Sequence, residues 1–338
     1  LRAGTMDAFL ADRLCGRYAC DFTNASRTQL MNLEKMTWDA RLCEVFGVNP
    51  AMLPEILPSD AVFGQTDLGG VLPKKVPLCG VSGDSQAAFF ALGCHQTGRA
   101  KASYGTGSSV MVHVGDHIVT SGFLAATVGY RLAGQTGYAL EGNISHSADI
   151  VSWLTRDMQL CPDPAQTEPM ACALLDNGGV YLVPAFTGLG APFWDPYARG
   201  TVVGLTRGCT KDHFIRAALE SIAFQTLDVF EAMQRDTGLP IHNLKVDGGA
   251  SANDFLMQFQ ADLLQGSIVR CACNETTALG AAYLAGLSCG YWANTAELTS
   301  MYQTGRTFIS SMDAQSRERR GRGWYRAVER AKRWAAEE

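Results

Sequence analysis

Hydrophobic positions along the 338-residue chain change period several times, and each change predicts an element. From about Asp212 to Asp236, Phe214, Ala217, Ala218, Ile222, Val229, Phe230 and Met233 recur near helical spacing. That predicts one long helix, closed by Gly238. Residues 5–15 predict a shorter helix with Thr5 as its cap and Gly16 as its stop, and residues 38–46 a second short one. Strict alternation in Val110-Met111-Val112-His113-Val114, preceded by Lys101 to Tyr104 and a polar turn, predicts a β-hairpin over 101–114. Leu124 to Leu132 and Tyr138 to Glu141 predict a second strand pair across Ala133 to Gly137. A helix over 146–158, the strand Val180 to Val183, the strand Leu244 to Val246 and a helix from Ala252 to Leu264 follow. Glu275-Thr276-Thr277 then caps a helix whose small face (Ala278, Gly280, Ala281, Ala282, Ala285, Gly286) suits close packing. Strands alternating with helices predict an α/β architecture.

One stretch organises the rest. The apolar, β-prone run Val76 to Val81 leads through Gly83 into Asp84, and Ala87 to Leu92 is helix-forming. This strand–turn–helix pattern holds a polar residue at the mouth of a cleft. Two readings of Asp84 stay open: an ordinary N-cap of the helix, or a carboxylate that takes a proton from a substrate hydroxyl. Two glycine-rich turns add to it. Gly105-Thr106-Gly107 joins the hairpin strands, where backbone N–H groups and a hydroxyl can face an anion. Asp247-Gly248-Gly249-Ala250-Ser251-Ala252-Asn253 ends a strand and opens a helix, where the backbone is accessible and the helix start favours polar or negative groups. Neither turn matches the Walker lysine loop or the Gly-x-Gly-x-x-Gly dinucleotide pattern.

Composition narrows the class. A formal charge of −5 and a pI near 5.7 exclude the basic face that nucleic acid requires. The basic run Arg317 to Arg322 is interrupted by acid and the chain ends in Glu337-Glu338, which predicts a solvated helix surface. Eleven cysteines, with no Cys-x-x-Cys and no zinc spacing with histidine, suit reduced thiols in a cytoplasmic protein, and Cys271-Ala272-Cys273 reads as packing. No metal-binding residues are assigned. His146, beside Asn143 and Ser145, is the histidine with a claim to the cleft, while Phe193 and Trp194 read as loop packing. No apolar run reaches membrane-spanning length, and no signal peptide is expected. The opening Leu1-Arg2-Ala3-Gly4 has no initiator methionine, so the chain reads as a piece of something longer.

Several strings resemble the FGGY carbohydrate kinases, and among them the glycerol kinases most. They are Gly83-Asp84-Ser85-Gln86-Ala87-Ala88, Tyr104-Gly105-Thr106-Gly107, and Asp247 through Asn253. The run Pro184 to Gly200, the segment from Gly200 to Glu220, Thr23 to Thr28, and Thr277 to Gly286 extend the likeness along nearly the whole chain. The resemblance implies an actin-like (ribonuclease H-like) ATPase fold. Residues 1–96 would be the C-terminal remnant of an incomplete first lobe, and 97–338 a complete, nucleotide-binding second lobe. It implies ATP and Mg²⁺, a small polyol or sugar as acceptor, no nucleic-acid or membrane partner, and a homodimer or homotetramer. Asp84 matches the family's catalytic base. Gly105, Thr106 and Gly107 match the turn near the ATP phosphates, and Gly249 and Asn253 match residues at the adenosine end.

Three departures qualify this likeness. The family's first phosphate loop and its polyol-gripping Arg-Glu pair are not seen, so the chain is expected to be inactive alone. Ser85 stands where glycerol kinases carry glutamine, and Ser109 where they carry a phenylalanine packed on the acceptor. The resulting substrate wall would be larger and more polar, suited to a four- or five-carbon acceptor. Ala148 and Ser152 replace a glycine and a glutamine near the nucleotide. The loop Gly69 to Lys75 lacks the residues that bind an allosteric sugar bisphosphate in some bacterial enzymes. The rival expectation is a non-catalytic relative that binds nucleotide or sugar as a sensor or assembly module.

Overall fold

The computed structural model describes residues 1–302 and 304–336; the Glu337-Glu338 pair lies outside the described residues. A seven-stranded mixed sheet occupies the second lobe, in the order Thr304–Ile309, Ser267–Cys271, Asn243–Asp247, Ala100–Tyr104, Ser108–Gly115, Gln135–Ile144, Ala125–Leu132. Ser267–Cys271, Asn243–Asp247 and Ala100–Tyr104 run parallel, and every other pairing is antiparallel. The expected hairpins are therefore present. The second turns more tightly than the pattern suggested, at Ala133-Gly134, and takes up a bulge beside Tyr138.

Alternation along these strands divides the sheet into two faces. Ala102, Tyr104, Val110, Val112 and Leu140 are fully buried on the face that meets the helix Lys211–Thr237. Gly142 lets that helix come close, since a Cβ there would lie 2.4 Å from Val229 Cγ1. Every residue of the helix from Ile215 to Phe230 is buried, so it runs through the molecule instead of lying on its surface. Its buried Arg216 pairs with Glu220 at 2.9 Å. Burial pushes the Asp228 carboxyl well above its ordinary pKa, although Trp324 Nε1 donates to it at 2.8 Å.

The other face carries Lys101, Ser103, Ser109, Glu141 and Asn143, and it looks toward residues 1–91. There Ala19–Asp21 pairs parallel with Glu55–Leu57, and Gly64–Thr66 antiparallel with Val76–Leu78. The helix Asp84–Ala91 packs on the helix Thr276–Ser288 through the expected small-residue face. A Cβ on Gly280 would sit 1.9 Å from the Ala87 carbonyl oxygen, and one on Gly80 2.5 Å from that of Ala281.

Several expectations are corrected. Val76–Leu78 is an edge strand of three residues, and Cys79 to Gly83 leave the sheet because Gly80 adopts a left-handed φ of 71°. Trp38 belongs to a hairpin with Met31–Asn32, and the short helix starts at Ala40 under the side-chain cap of Asp39. The helix expected over 146–158 is a four-residue α segment, Asp149–Ser152, that widens into a π-helical turn at Trp153–Asp157. Glu275 occupies the N-cap of the Thr276–Ser288 helix without a capping bond. The strand Thr304–Ile309 was not expected; it adds antiparallel to Ser267–Cys271. Within the helix Ala314–Ala331 the basic run is only partly solvated: Arg317 pairs with Glu231 at 3.0 Å and Arg320 with Glu220 at 3.5 Å. No helix among the described residues is long and apolar enough to cross a membrane.

Candidate active site

Asp84 is the first residue of its helix, and Gly83 holds the N-cap position. The N-cap reading of Asp84 is thus displaced by one residue: its Oδ1 accepts only the N–H of the adjacent Ser85, at 2.7 Å, and the side chain is exposed. What aims it is a chain of bonds from the first lobe. The Gly83 N–H donates to Thr23 Oγ1 at 2.7 Å, and Thr23 Oγ1 donates to Asp21 Oδ1 at 2.8 Å. The Asp21 carboxylate also accepts from the Thr23 and Asn24 N–H groups, Asn24 Nδ2 and Ser59 Oγ. Burial raises its pKa to about 6 despite these bonds. The segment Asp21 to Asn24 is therefore a buried anchor for the Asp84 turn, a role that Thr23 to Thr28 did not disclose as a string.

Three turns converge. Thr277 Oγ1 donates to the Asp84 carbonyl at 3.4 Å, and the preceding Thr276 Oγ1 donates to Asp247 Oδ2. Two consecutive threonines at one helix start thus tie the Asp84 turn to the Asp247-Gly248-Gly249 turn. Gly248, at a φ of 88°, leans on the hairpin, since a Cβ there would lie 2.5 Å from the Tyr104 carbonyl oxygen. The hairpin tip is strapped in its turn to residues 147–149. The Thr106 carbonyl accepts from the Ser147 N–H at 2.9 Å, and the Gly105 carbonyl from the Ala148 N–H at 3.1 Å. Gly107 has no room for a side chain, because a Cβ would lie 2.6 Å from the Ile144 carbonyl oxygen.

Behind the tip lies a cavity of about 410 Å³. Ala148 and Ser152, and Gly249 and Asn253, assigned from two stretches about 100 residues apart in the sequence, all line it. Leu219 and Leu256 supply apolar wall, and a Cβ on Gly249 would meet open space. Asn253 also serves the fold directly, since its Oδ1 accepts the Leu256 N–H at 2.9 Å and so caps the helix Asp254–Leu264. Thr167 and Glu168 line the cavity too and were missed. They come from a segment with no motif, and Glu168 is brought in by its bond from the Asp254 N–H at 2.7 Å.

On the sheet face opposite Asp84, Asp247, Ser103, Ser109 and Asn143 stand in register across four strands. The Ser109 hydroxyl is engaged, donating to Glu141 Oε1 at 2.9 Å and accepting from Lys101 Nζ at 3.1 Å. Ser85 is half-buried beside Asp84. A second cavity, of about 380 Å³, is lined by Arg27, Glu141, Asn143 and Trp194. Trp194, read from sequence as loop packing, is exposed at 57% and donates through Nε1 to the Phe123 carbonyl at 2.6 Å. His146 is near the cleft but occupied: Nε2 meets Thr187 Oγ1 at 2.7 Å and Nδ1 meets Asp149. Cys271 and Cys273 pack with Phe89, Leu92 and Cys94. No group of three or more His, Cys, Asp or Glu among the described residues could by itself hold a metal ion. Of the buried carboxylate oxygens without a hydrogen-bond partner among the described residues, Asp247 Oδ1 is the one on the Asp247-Gly248-Gly249 turn.

Comparison with known proteins gives a consistent result. The model of the N-terminal domain of the FGGY family of carbohydrate kinases matches residues 2–91, and that of the C-terminal domain residues 100–289. Residues 1–96, expected as the remnant of an incomplete first lobe, thus match the family's N-terminal domain over 2–91, and both domains of the family are represented. A glycerol kinase of Symbiobacterium thermophilum is 48% identical over 340 aligned residues, which cover 100% of this chain and 68% of that protein. Glycerol kinase 2 of Pseudomonas aeruginosa is 49% identical, over 98% of this chain and 66% of its own. The crystal structure of Plasmodium falciparum glycerol kinase with ADP superposes with a TM-score of 0.90 at 34% identity, covering 97% of this chain and 66% of that one. The chain spans about two thirds of the length of these relatives.

Proposed function

Because the chain belongs to the FGGY family of carbohydrate kinases, we propose that it transfers the terminal phosphoryl group of ATP to a primary hydroxyl of a polyol or sugar. The observation that carries this reading is the convergence of the Asp84, Gly105–Gly107 and Asp247–Asn253 turns, tied together by Thr276 and Thr277. Phosphoryl transfer needs little covalent chemistry from the protein; it needs alignment and charge stabilisation. Asp84 accepts the acceptor hydroxyl's proton as that oxygen bonds to phosphorus and the bond to the ADP oxygen breaks. Its exposure leaves the carboxylate free to meet a substrate. Thr106 and Gly107 offer backbone and hydroxyl donors to the phosphates. Gly249 and Asn253 take the adenosine end, with Ala148 and Ser152 lining the same cavity.

The residues present fit Mg²⁺ as a partner of the nucleotide. That ion uses one or two carboxylates together with phosphate oxygens, and Asp247 Oδ1 is a buried carboxylate oxygen without a partner. When bound, Mg²⁺ neutralises charge on the phosphate oxygens. Ser85 and Ser109 form the acceptor side, and their small side chains leave room for an acceptor longer than glycerol.

Measurement of ADP release with three- to six-carbon polyols and sugars tests this reading, on this chain and on any longer form its gene encodes. Asp84→Asn is expected to lower kcat by about 100- to 10,000-fold, the usual weight of a positioned base, at unchanged stability. Equal rates in the two proteins would remove the kinase reading. A strong preference for glycerol would remove the larger acceptor and leave the kinase in place.

A further inference from the structure

Beneath the cleft floor lies a lysine that phosphoryl transfer as proposed leaves without a role. Lys101 is 0% exposed, on the first strand of the hairpin. An ammonium withdrawn from water is costly unless its partners repay the loss. The hydrogen-bond partners here are two neutral hydroxyls: Nζ donates to Ser103 Oγ at 3.0 Å and to Ser109 Oγ at 3.1 Å. Those serines face each other across the two strands. A single cation therefore braces both stems of the hairpin, directly below the tip that carries Thr106.

The brace continues to the other lobe. Ser109 Oγ donates to Glu141 Oε1 at 2.9 Å, and Glu141, itself buried, pairs with Arg27 of the first lobe at 3.2 Å. Burial pushes the Lys101 ammonium below its ordinary lysine pKa, while Asp247, Glu141, the Cys94 thiol and Asp84 pull it back up. Asp247 and Asp84 belong to the other two converging turns. Lys101 is thus mechanically joined to one turn and electrostatically joined to the other two.

A buried charge kept only for stability has no advantage here, since apolar replacement of buried ionic groups is often neutral or stabilising. We propose that Lys101 is a positioning residue for the phosphoryl donor: through Ser103 and Ser109 it sets the Gly105-Thr106-Gly107 turn for the nucleotide phosphates, and through Glu141 and Arg27 it keys that setting to the first lobe. This rests on the kinase reading for its role in turnover, but not for its effect on nucleotide binding. The partner served is the polyphosphate chain of a nucleoside di- or triphosphate with its Mg²⁺, whose negative charge gathers above the buried cation.

The test compares wild type, Lys101→Met and Ser103→Ala in two measurements. One is calorimetric titration with Mg·ADP, and the other is steady-state kinetics with ATP varied at saturating acceptor. Lys101→Met keeps length and removes charge and donors. It is expected to weaken Mg·ADP binding and kcat/KM for ATP by about 10- to 100-fold, because the turn loses the charge-assisted bonds that hold its two stems. The KM for the acceptor, reached through Ser109, shifts by less than the ADP affinity does, and Tm falls because Glu141 and Asp247 lose the cation that faces them. Ser103→Ala shifts the same parameters in the same direction by about 3- to 10-fold. A folded Lys101→Met protein whose ADP affinity and kcat/KM for ATP lie within about twofold of wild type overturns the proposal. Should Lys101→Met not fold, Ser103→Ala decides, and unchanged ADP affinity in it has the same force. Loss of the kinase reading would instead appear as ADP release indifferent to Asp84→Asn, which the binding titration does not depend on.

Discussion

Asp84 owes its aim to atoms far from it in sequence. Gly83 hangs from Thr23, and Thr23 from the buried Asp21, so a residue 63 positions upstream of Asp84 anchors the turn. The neighbouring wall proposed for the acceptor is set in the same way. Ser109 cannot turn freely, because Lys101 and Glu141 hold its hydroxyl from two sides. Ser109→Phe would restore the aromatic wall that the resemblance associates with a three-carbon acceptor. It is expected to move the ratio of kcat/KM values toward glycerol and away from five-carbon polyols by about 10-fold or more, since the ring fills the space that a longer acceptor needs. Competing the two acceptors in one reaction and assaying both products gives that ratio directly. The variant should also lose about 1–3 kcal/mol of stability, because Glu141 is left short of a donor.

At the scale of elements, one contact that joins the lobes is a pair of helices whose backbones meet at Gly280, with Phe90, Ala91, Tyr283 and Leu284 packed beside that point. Gly280 of Thr276–Ser288 lies against the Ala87 carbonyl of Asp84–Ala91, where an added methyl would come within 1.9 Å of the oxygen. Since that atom belongs to backbone, relief requires moving a helix. Gly280→Ala is therefore expected to destabilise the protein by about 1–3 kcal/mol, as overpacking does. It should also reduce turnover more than nucleotide affinity, because the displaced helix carries Asp84 and not the cavity. Thermal denaturation and ADP titration on the same sample separate the two effects; a stable variant with full turnover would show that this contact does not position Asp84. The run of small residues made this face legible beforehand. Local pattern was a poor guide where short segments are decided by their neighbours. The β-prone run Val76 to Val81 leaves the strand after Leu78, because Gly80 has to pass under the Thr276–Ser288 helix. Asp149–Ser152 ends in a π-helical turn although nothing in its spacing departs from an ordinary helix.

For the molecule as a whole, stability has an acid limb that can be traced to two histidines on the rim of the sheet. Burial pushes both His95 and His113 down to about 4. His113 Nδ1 accepts the Gly115 N–H at 3.1 Å while Nε2 meets Tyr130 Oη at 3.1 Å, an arrangement that uses the neutral ring. The folded value lies below the ordinary 6.5, so the unfolded chain takes up these protons first. Their contribution is whole above about pH 6.5 and is lost progressively as pH falls toward 4. Each unit of difference is worth about 1.4 kcal/mol, so between pH 7.5 and pH 5 urea unfolding of the wild type should lose on the order of 2–3 kcal/mol relative to His95→Gln/His113→Gln, after allowance for partial solvent screening; the raised Asp21 and Asp228 carboxyls, which act with the opposite sign, are common to both proteins. In His95→Gln/His113→Gln the slope between those pH values should be much shallower. An unchanged slope would assign the acid limb to other groups.

Read as a string, this chain already declares its α/β class, the long helix, both hairpins and the glycine turns, because each depends on period or on a backbone conformation that few residues tolerate. The turns and Asp84 could be picked out for the same reason: glycine and a lone carboxylate at a helix start leave a local mark. Which of these marks share a site was not local information. Ala148, Ser152, Gly249 and Asn253 meet in one cavity only because the hairpin tip is strapped to residue 148 and Gly248 leans on Tyr104. Lys101 and Glu141, read along the strand, look like ordinary polar positions. Only closure of the sheet against the first lobe buries them and gives them each other's company, since burial and partnership are properties of the packed molecule and leave no period in the sequence.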